Sequence, residues 1–187
     1  MTGISPTVES VLPQTSGGRR LLALSALVLL AVMLQVALLP YLRVADGTAD
    51  LVVVAVAVAG WYRGPLVGTL AGFSAGLAVE LSTPSGTLGV LALIYLAVGA
   101  FSGSFASGPR PSGIMTPLLR IMAVTALAQV ALLLVQLLLG SSVSGNAFLT
   151  RVLVPSIALT VLVAPPFLAL ADRVMGFPRV VEPFMGG

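Results

Sequence analysis

The feature that most constrains this chain is a series of long apolar stretches in which charged residues are almost absent. Of its 187 residues, 58% are hydrophobic and only 8% are charged, whereas soluble domains carry about 25% charged residues. So little charge cannot cover a protein surface in water, and about 20 consecutive apolar residues cross a bilayer as a helix. The sequence therefore predicts an all-α, polytopic membrane protein.

Turn residues and arginines divide the apolar sequence into six predicted transmembrane helices. The predicted spans are residues 21–39, 51–62, 65–81, 87–106, 118–140 and 148–171. They form one domain, residues 19–171, between a flexible cytoplasmic tail of residues 1–18 and a short cytoplasmic tail of residues 172–187. A cleaved signal peptide is a competing interpretation of the first span, because Arg19 and Arg20 precede it.

The second span is short, so residues 51–81 form either a helical hairpin or one long helix. The span reaches a sufficient length, about residues 48–64, if Asp50 lies at the membrane interface. The arginines favour the hairpin, because six spans place seven of the nine arginines on the cytoplasmic side. Five spans place Arg63 in mid-bilayer, where an arginine costs about 2.5–3.5 kcal/mol. We therefore expect six spans, with both termini in the cytoplasm.

Composition argues against most catalytic chemistry. The chain has no histidine and no cysteine, so it lacks the commonest general base, thiolate nucleophiles and the usual zinc ligands. No phosphate-binding loop or nucleophile motif is present. The pI near 10.2 does not indicate nucleic-acid binding, because the arginines are scattered between apolar runs. We expect no enzymatic activity, no cofactor or metal, and no nucleic acid or small-molecule substrate.

Glycines at a four-residue spacing form the sharpest pattern within the predicted spans. In the third span they share one helix face that ends at a glutamate, and the fourth span repeats the spacing. The candidate site residues are Gly68, Gly72, Gly76, Glu80, Gly99 and Gly103. Glycine lowers helix stability by about 1 kcal/mol relative to alanine, so its repetition indicates close approach of two helices. The third span either packs on the first or fourth span, or docks a partner's transmembrane helix.

Glu80 lies at the outer end of this glycine face. One interpretation is an interfacial carboxylate that is solvated or caps the following turn. The other is a partner-binding or ion-coupling group, since ionisable residues inside membranes are often functional. Three glutamines within spans are predicted to hydrogen-bond across helices: Gln35, Gln129 and Gln136. Three prolines are predicted to kink the sixth span or end it early: Pro155, Pro165 and Pro166.

The glycine motif also carries a family resemblance. Residues 64–81 read Gly-Pro-Leu-Val-Gly-Thr-Leu-Ala-Gly-Phe-Ser-Ala-Gly-Leu-Ala-Val-Glu-Leu, and Leu88-Gly89 and Gly99 follow. This pattern resembles the rod shape-determining protein MreD family, whose motif runs roughly G-x-x-x-G-x-x-x-G-F-x-x-G-L-x-x-D before a Pro/Gly turn. Glu80 stands where that family usually has aspartate, so the charge is kept. The strong part of the resemblance covers about a fifth of the chain.

The resemblance implies a non-enzymatic scaffold subunit of the bacterial cell-elongation (rod) complex, located in the bacterial cytoplasmic membrane. Its partners would be membrane lipid, an MreC-like protein and other elongation-complex proteins. It also implies a fold similar to the S components of energy-coupling-factor transporters, which have six helices. That similarity supplies an alternative function, the substrate-binding S component of a vitamin-type transporter. Such a component needs convergent polar groups at its outer side, whereas the outer loops predicted here are short.

Overall fold

The computed structural model describes residues 15–38, 41, 46–83, 89–107, 115–140 and 145–175. Its helices are α1 Thr15–Ala37, α2 Leu51–Arg63, α3 Pro65–Ser82, α4 Val90–Ser104, α5 Met115–Leu138, α6 Gly145–Phe148 and α7 Val154–Met175. A π-helical turn, Leu149–Leu153, joins α6 to α7. The described residues form helices and no β-strand, so the predicted all-α class is confirmed for this part of the chain.

Helix α2 runs through the centre of the bundle. All ten residues from Leu51 to Gly60 are buried, and those from Val52 to Val58 have no exposed surface. The helices α1, α3, α4, α5 and α7 each pack on α2 and contact one another in that order around it. The sequence of α2 is compatible with this position, because the helix is apolar on every side.

Three helical segments are long and apolar enough to cross a membrane: Pro65–Ser82, Met115–Leu138 and Leu149–Arg173. Three more apolar helical segments are shorter: Leu21–Ala37, Leu51–Arg63 and Val90–Ser104. The 13 residues of α2 measure about 20 Å at 1.5 Å per residue, less than the roughly 30 Å of a hydrocarbon core. The chain is thus a helical membrane protein with helices of unequal length.

The chain reverses direction between α2 and α3. Gly64 has a φ of 88°, which suits glycine, and Pro65 begins α3, where its missing N–H leaves no bond unmade. A Cβ atom on Gly68 would lie 2.8 Å from the Cα of Gly60. In one straight helix these residues would be about 12 Å apart. Helices α2 and α3 therefore form a hairpin and not one long helix.

The prolines of the last helical segment do not end it early. Pro165 and Pro166 lie inside α7, which continues to Met175. Pro155 has no N–H to donate to the carbonyl of Arg151, four residues before it. That carbonyl accepts instead from the backbone N–H of Asp46, at 3.1 Å. The proline thus frees the acceptor that anchors the segment leading into α2.

The ordered helices extend slightly into both predicted tails. Helix α1 begins at Thr15 and α7 ends at Met175, so residues 15–18 and 172–175 are helical. The rest of the predicted tails, residues 1–14 and 176–187, lies outside the described residues. Residues 84–88, which include most of the predicted turn at residues 83–86 and the start of the predicted fourth span, lie outside them as well, as do residues 108–114 before α5.

Candidate functional site

The glycine rows of α3 and α4 face each other. All five glycines predicted from the sequence are buried: Gly68, Gly72, Gly76, Gly99 and Gly103. A Cβ on Gly72 would overlap the backbone of Tyr95, and a Cβ on Gly76 would lie 2.5 Å from the Cα of Ala92. These distances are shorter than side chains allow, so the two backbones touch along the seam. We call this contact the glycine seam.

Helix α2 also enters the glycine seam, through Gly60. A Cβ on Gly60 would lie 2.8 Å from the carbonyl oxygen of Gly99 and 2.8 Å from the amide nitrogen of Gly103. Because Gly68 also contacts Gly60 and Gly99, three helices meet at one point. Gly60 is not among the candidate site residues selected from the sequence, because the turn at Gly64 separates it from α3. The signal was present, because Gly60 continues the four-residue spacing.

The seam occupies the face that the sequence offered as either an internal contact or a docking site. Helix α4 covers the glycines of α3 along their whole row. Two helices that approach so closely gain dispersion contacts and weak Cα–H···O bonds along their length. The contact joins α2, α3 and α4 at the seam, and α4 occupies the glycine face of α3.

Glu80 closes the end of the glycine seam that lies beyond Gly76. Its side chain is only 3% exposed and accepts two hydrogen bonds, from the N–H of Gly89 at 2.7 Å and of Leu91 at 2.5 Å. These amides belong to the first turn of α4, where helices lack internal acceptors and attract negative charge. Glu80 therefore caps the helix that follows it in the chain, which explains a carboxylate at this position.

Asp50 caps α2 in the same way. It is not among the candidate site residues selected from the sequence. One carboxylate oxygen accepts from the N–H of Val53 at 3.0 Å, and the other accepts from the hydroxyl of Tyr95 at 2.9 Å. Asp50 is 5% exposed, so its carboxylate bonds protein groups and not solvent. The helix begins at Leu51 and not at residue 48, because the Asp50 side chain caps it there.

An extended segment, residues 46–50, leads into this cap along α7. The N–H of Asp50 donates to Oγ1 of Thr160 at 2.9 Å, and the N–H of Thr48 donates to Oγ of Ser156 at 3.3 Å. Both hydroxyl side chains are buried. A non-helical backbone inside a membrane protein needs such partners, because lipid supplies none.

Gln35 of α1 completes the network at the start of α2. Its Oε1 accepts from the N–H of Leu51 at 2.9 Å, and its Nε2 donates to the carbonyl of Ala49 at 3.3 Å. The predicted cross-helix role of Gln35 is therefore confirmed. Together with Asp50, Tyr95 and Thr160 it ties α1, α4 and α7 to the central helix. We call these four side chains the polar cluster.

The opposite end of the bundle holds aromatic and basic side chains. The Arg120 guanidinium carbon lies 5.2 Å from the centre of the Phe105 ring and 6.0 Å from the Trp61 ring. The Tyr62 hydroxyl donates to the carboxylate of Asp172, which joins the ends of α2 and α7. Among the described residues, three buried side-chain polar atoms have no hydrogen-bond partner: Nε1 of Trp61, Oγ of Ser102 and Oγ1 of Thr125.

Charges sort between the two ends of the bundle. We call the end at Arg120 the arginine end; the side chains described there include Arg19, Arg63, Arg120, Arg173 and Asp172. We call the other end the acidic end; it includes Asp46, Asp50, Glu80 and Arg151. Cytoplasmic loops of membrane proteins carry the excess of arginine.

Comparison with known proteins adds no assignment to this geometry. No family model matches the chain, and neither a curated protein nor a solved structure matches it significantly. Within the described residues, no three histidine, cysteine, aspartate or glutamate side chains are grouped as a metal site requires. The carboxylates Asp50 and Glu80 each accept hydrogen bonds from a helix N-terminus, so their evident chemistry is to hold the fold.

Proposed function

We propose that this chain is a non-enzymatic membrane scaffold subunit of the bacterial cell-elongation complex, similar to MreD. The observation that carries the proposal is the filled centre of the bundle, where residues 52–58 of α2 have no exposed surface. A protein that uses its interior for packing offers its outer helix faces and its two ends for recognition. The resemblance of the glycine motif to MreD supports the partner class.

The proposal includes a topology of six crossings with both termini in the cytoplasm. The charge difference between the arginine end and the acidic end supports this orientation, because arginine in short loops is retained on the cytoplasmic side. Helices α2 and α4 are shorter than a hydrocarbon core, but α2 is enclosed by protein and the segment before it is hydrogen-bonded to α7. A segment that is enclosed by protein and whose backbone is hydrogen-bonded in this way does not need to contact lipid.

The alternative function, an S component of a vitamin transporter, needs polar groups that converge on a ligand at the outer side. Among the described side chains at the acidic end, the polar cluster has the amide, carboxylate and hydroxyl groups that such a ligand site would use. Its members already bond one another and the backbone at the start of α2. This mutual pairing favours a structural role for the cluster, and therefore the scaffold function.

Affinity purification from membranes in mild detergent tests the function. We expect an MreC-like protein and other elongation proteins to co-purify, and depletion of the chain to round rod-shaped cells. Recovery of a transporter ATPase with its transmembrane coupling subunit would instead establish the alternative. Gly18→Ala is the control for effects of substitution itself. Its new Cβ meets no atom within 4 Å, so this variant should co-purify the same proteins as the unchanged chain.

A further inference from the structure

Arg120 lies at a depth where an arginine needs a partner. Helix α5 has 24 residues and measures about 36 Å, longer than the roughly 30 Å of a hydrocarbon core. Arg120 is its sixth residue, so its Cα lies about 8 Å along the helix from its start. An arginine at such a depth extends its guanidinium toward the headgroups and bonds water or an anion there.

The surroundings of Arg120 supply aromatic rings but no acceptor. The guanidinium lies against Phe105 and Trp61. Among the described residues, the carboxylate at this end belongs to Asp172, which accepts from Tyr62. The segment directly before α5, residues 108–114, contains no acidic residue and adds Arg110. Residues 107–120 therefore contain no acidic side chain that could pair with Arg120.

Trp61 and Phe105 place aromatic rings against the guanidinium, which interact with its charge but accept no conventional hydrogen bond. The guanidinium therefore keeps its N–H donors for another group. Its complement is a group with a negative charge and several acceptor oxygens, which accepts strong bonds from arginine.

We propose that this site binds the phosphate of an anionic phospholipid from the cytoplasmic leaflet. Arg120 donates to the phosphate oxygens. Phe101, one turn deeper on α4, is 47% exposed and contacts Phe105 edge to face, with ring centres 5.2 Å apart. These rings form an apolar path from the phosphate into the bilayer. An acyl chain can lie along this path, whereas a soluble anion does not require one.

Native mass spectrometry of the purified protein in neutral detergent tests this proposal independently of the scaffold function. Dioleoyl phosphatidylglycerol, dioleoyl phosphatidylcholine and inorganic phosphate are titrated separately. We expect the anionic lipid to bind more tightly than the zwitterionic lipid, and millimolar phosphate not to displace it. Arg120→Gln should weaken phosphatidylglycerol binding about tenfold, the effect of losing one charge-assisted bond pair. Phe101→Ala, which removes the exposed ring of the apolar path, should weaken it about threefold.

Two arginines serve as matched controls. Arg19→Gln removes an exposed charge at the arginine end, and Arg151→Gln removes one at the acidic end; neither should change lipid affinity. Equal loss in Arg19→Gln and Arg120→Gln, or unchanged binding in Arg120→Gln, would overturn the proposal. Displacement of the lipid by phosphate would overturn the proposal that the bound phosphate belongs to a lipid. If Arg120→Gln lost a co-purified protein but kept the lipid, the site would instead bind a carboxylate of that protein. If Arg120→Gln does not fold, Phe101→Ala decides the matter, and unchanged phosphatidylglycerol binding in that variant would overturn the proposal.

Discussion

The hydroxyl of Tyr95 on α4 donates a hydrogen bond to the carboxylate of Asp50, which caps the central helix α2, over 2.9 Å. Both side chains are almost completely buried. The bond crosses from the ring of outer helices to the centre of the bundle. It therefore links the helix that carries the second glycine row to the point where α2 begins.

Removal of the Tyr95 hydroxyl should destabilise the protein. Tyr95→Phe keeps the ring but leaves a buried carboxylate oxygen without its donor, which we expect to lower the free energy of unfolding by about 1–2 kcal/mol. Reversible denaturation in mixed micelles measures the change. Tyr41→Phe is the matched control, because Tyr41 is 85% exposed. Equal stability of the two variants would show that the bond does not contribute.

The glycine seam predicts opposite effects for two Gly→Ala substitutions. In Gly72→Ala the new Cβ meets the backbone of Tyr95 and Leu96, so the helices must separate, at a cost of about 1–3 kcal/mol. In Gly18→Ala the Cβ meets nothing, and the gain in helix propensity should stabilise by up to about 1 kcal/mol. Thermal unfolding in the same detergent compares them. A neutral Gly72→Ala would contradict the close approach of α3 and α4.

The cap formed by Glu80 predicts a graded series. Glu80→Ala leaves the N–H groups of Gly89 and Leu91 without their acceptor and should cost about 1–3 kcal/mol. Glu80→Gln keeps one acceptor oxygen and should lose about half as much. The control is Asp46→Asn, which removes an exposed charge at the same end of the bundle. If Glu80→Gln were as harmful as Glu80→Ala, the negative charge and not the hydrogen bonds would be the important feature.

Thr125 predicts a stabilising substitution. Its side chain is completely buried on α5, and its hydroxyl has no hydrogen-bond partner. Thr125→Val replaces the hydroxyl by a methyl group of similar size, so the free energy of unfolding should rise by about 1 kcal/mol. Denaturation in micelles measures the gain. A loss of stability would mean that the hydroxyl bonds a group in the native membrane.

The absence of cysteine from the chain makes the proposed topology directly testable. Single cysteines are introduced by Thr83→Cys, Ser107→Cys and Asn146→Cys, at exposed positions after α3, after α4 and before the last helical segment. In intact cells, an impermeant thiol reagent should label the first and third positions but not the second. Labelling of Ser107→Cys from outside would show that α4 does not cross the membrane.

The sequence by itself determined that lipid surrounds this protein and which segments of the chain form helices. Apolar runs without charge require lipid, and the predicted helical segments lie within a few residues of those observed. The hairpin at Gly64 also followed from the sequence, because Arg63 in mid-bilayer would be costly. The glycine spacing indicated close helix contact, since glycine has no other benefit inside a helix.

Only the tertiary structure decided which faces meet. Spacing places Gly68, Gly72 and Gly76 on one side of α3 but does not say that α4 covers them or that Gly60 joins them. Nor does it show that Asp50, which borders an apolar run, is buried against Tyr95. In a sequence that is apolar almost everywhere, hydropathy does not distinguish a face that contacts lipid from one that contacts protein. That distinction depends on backbone distances and hydrogen-bond partners that form only when residues far apart in the chain are brought together.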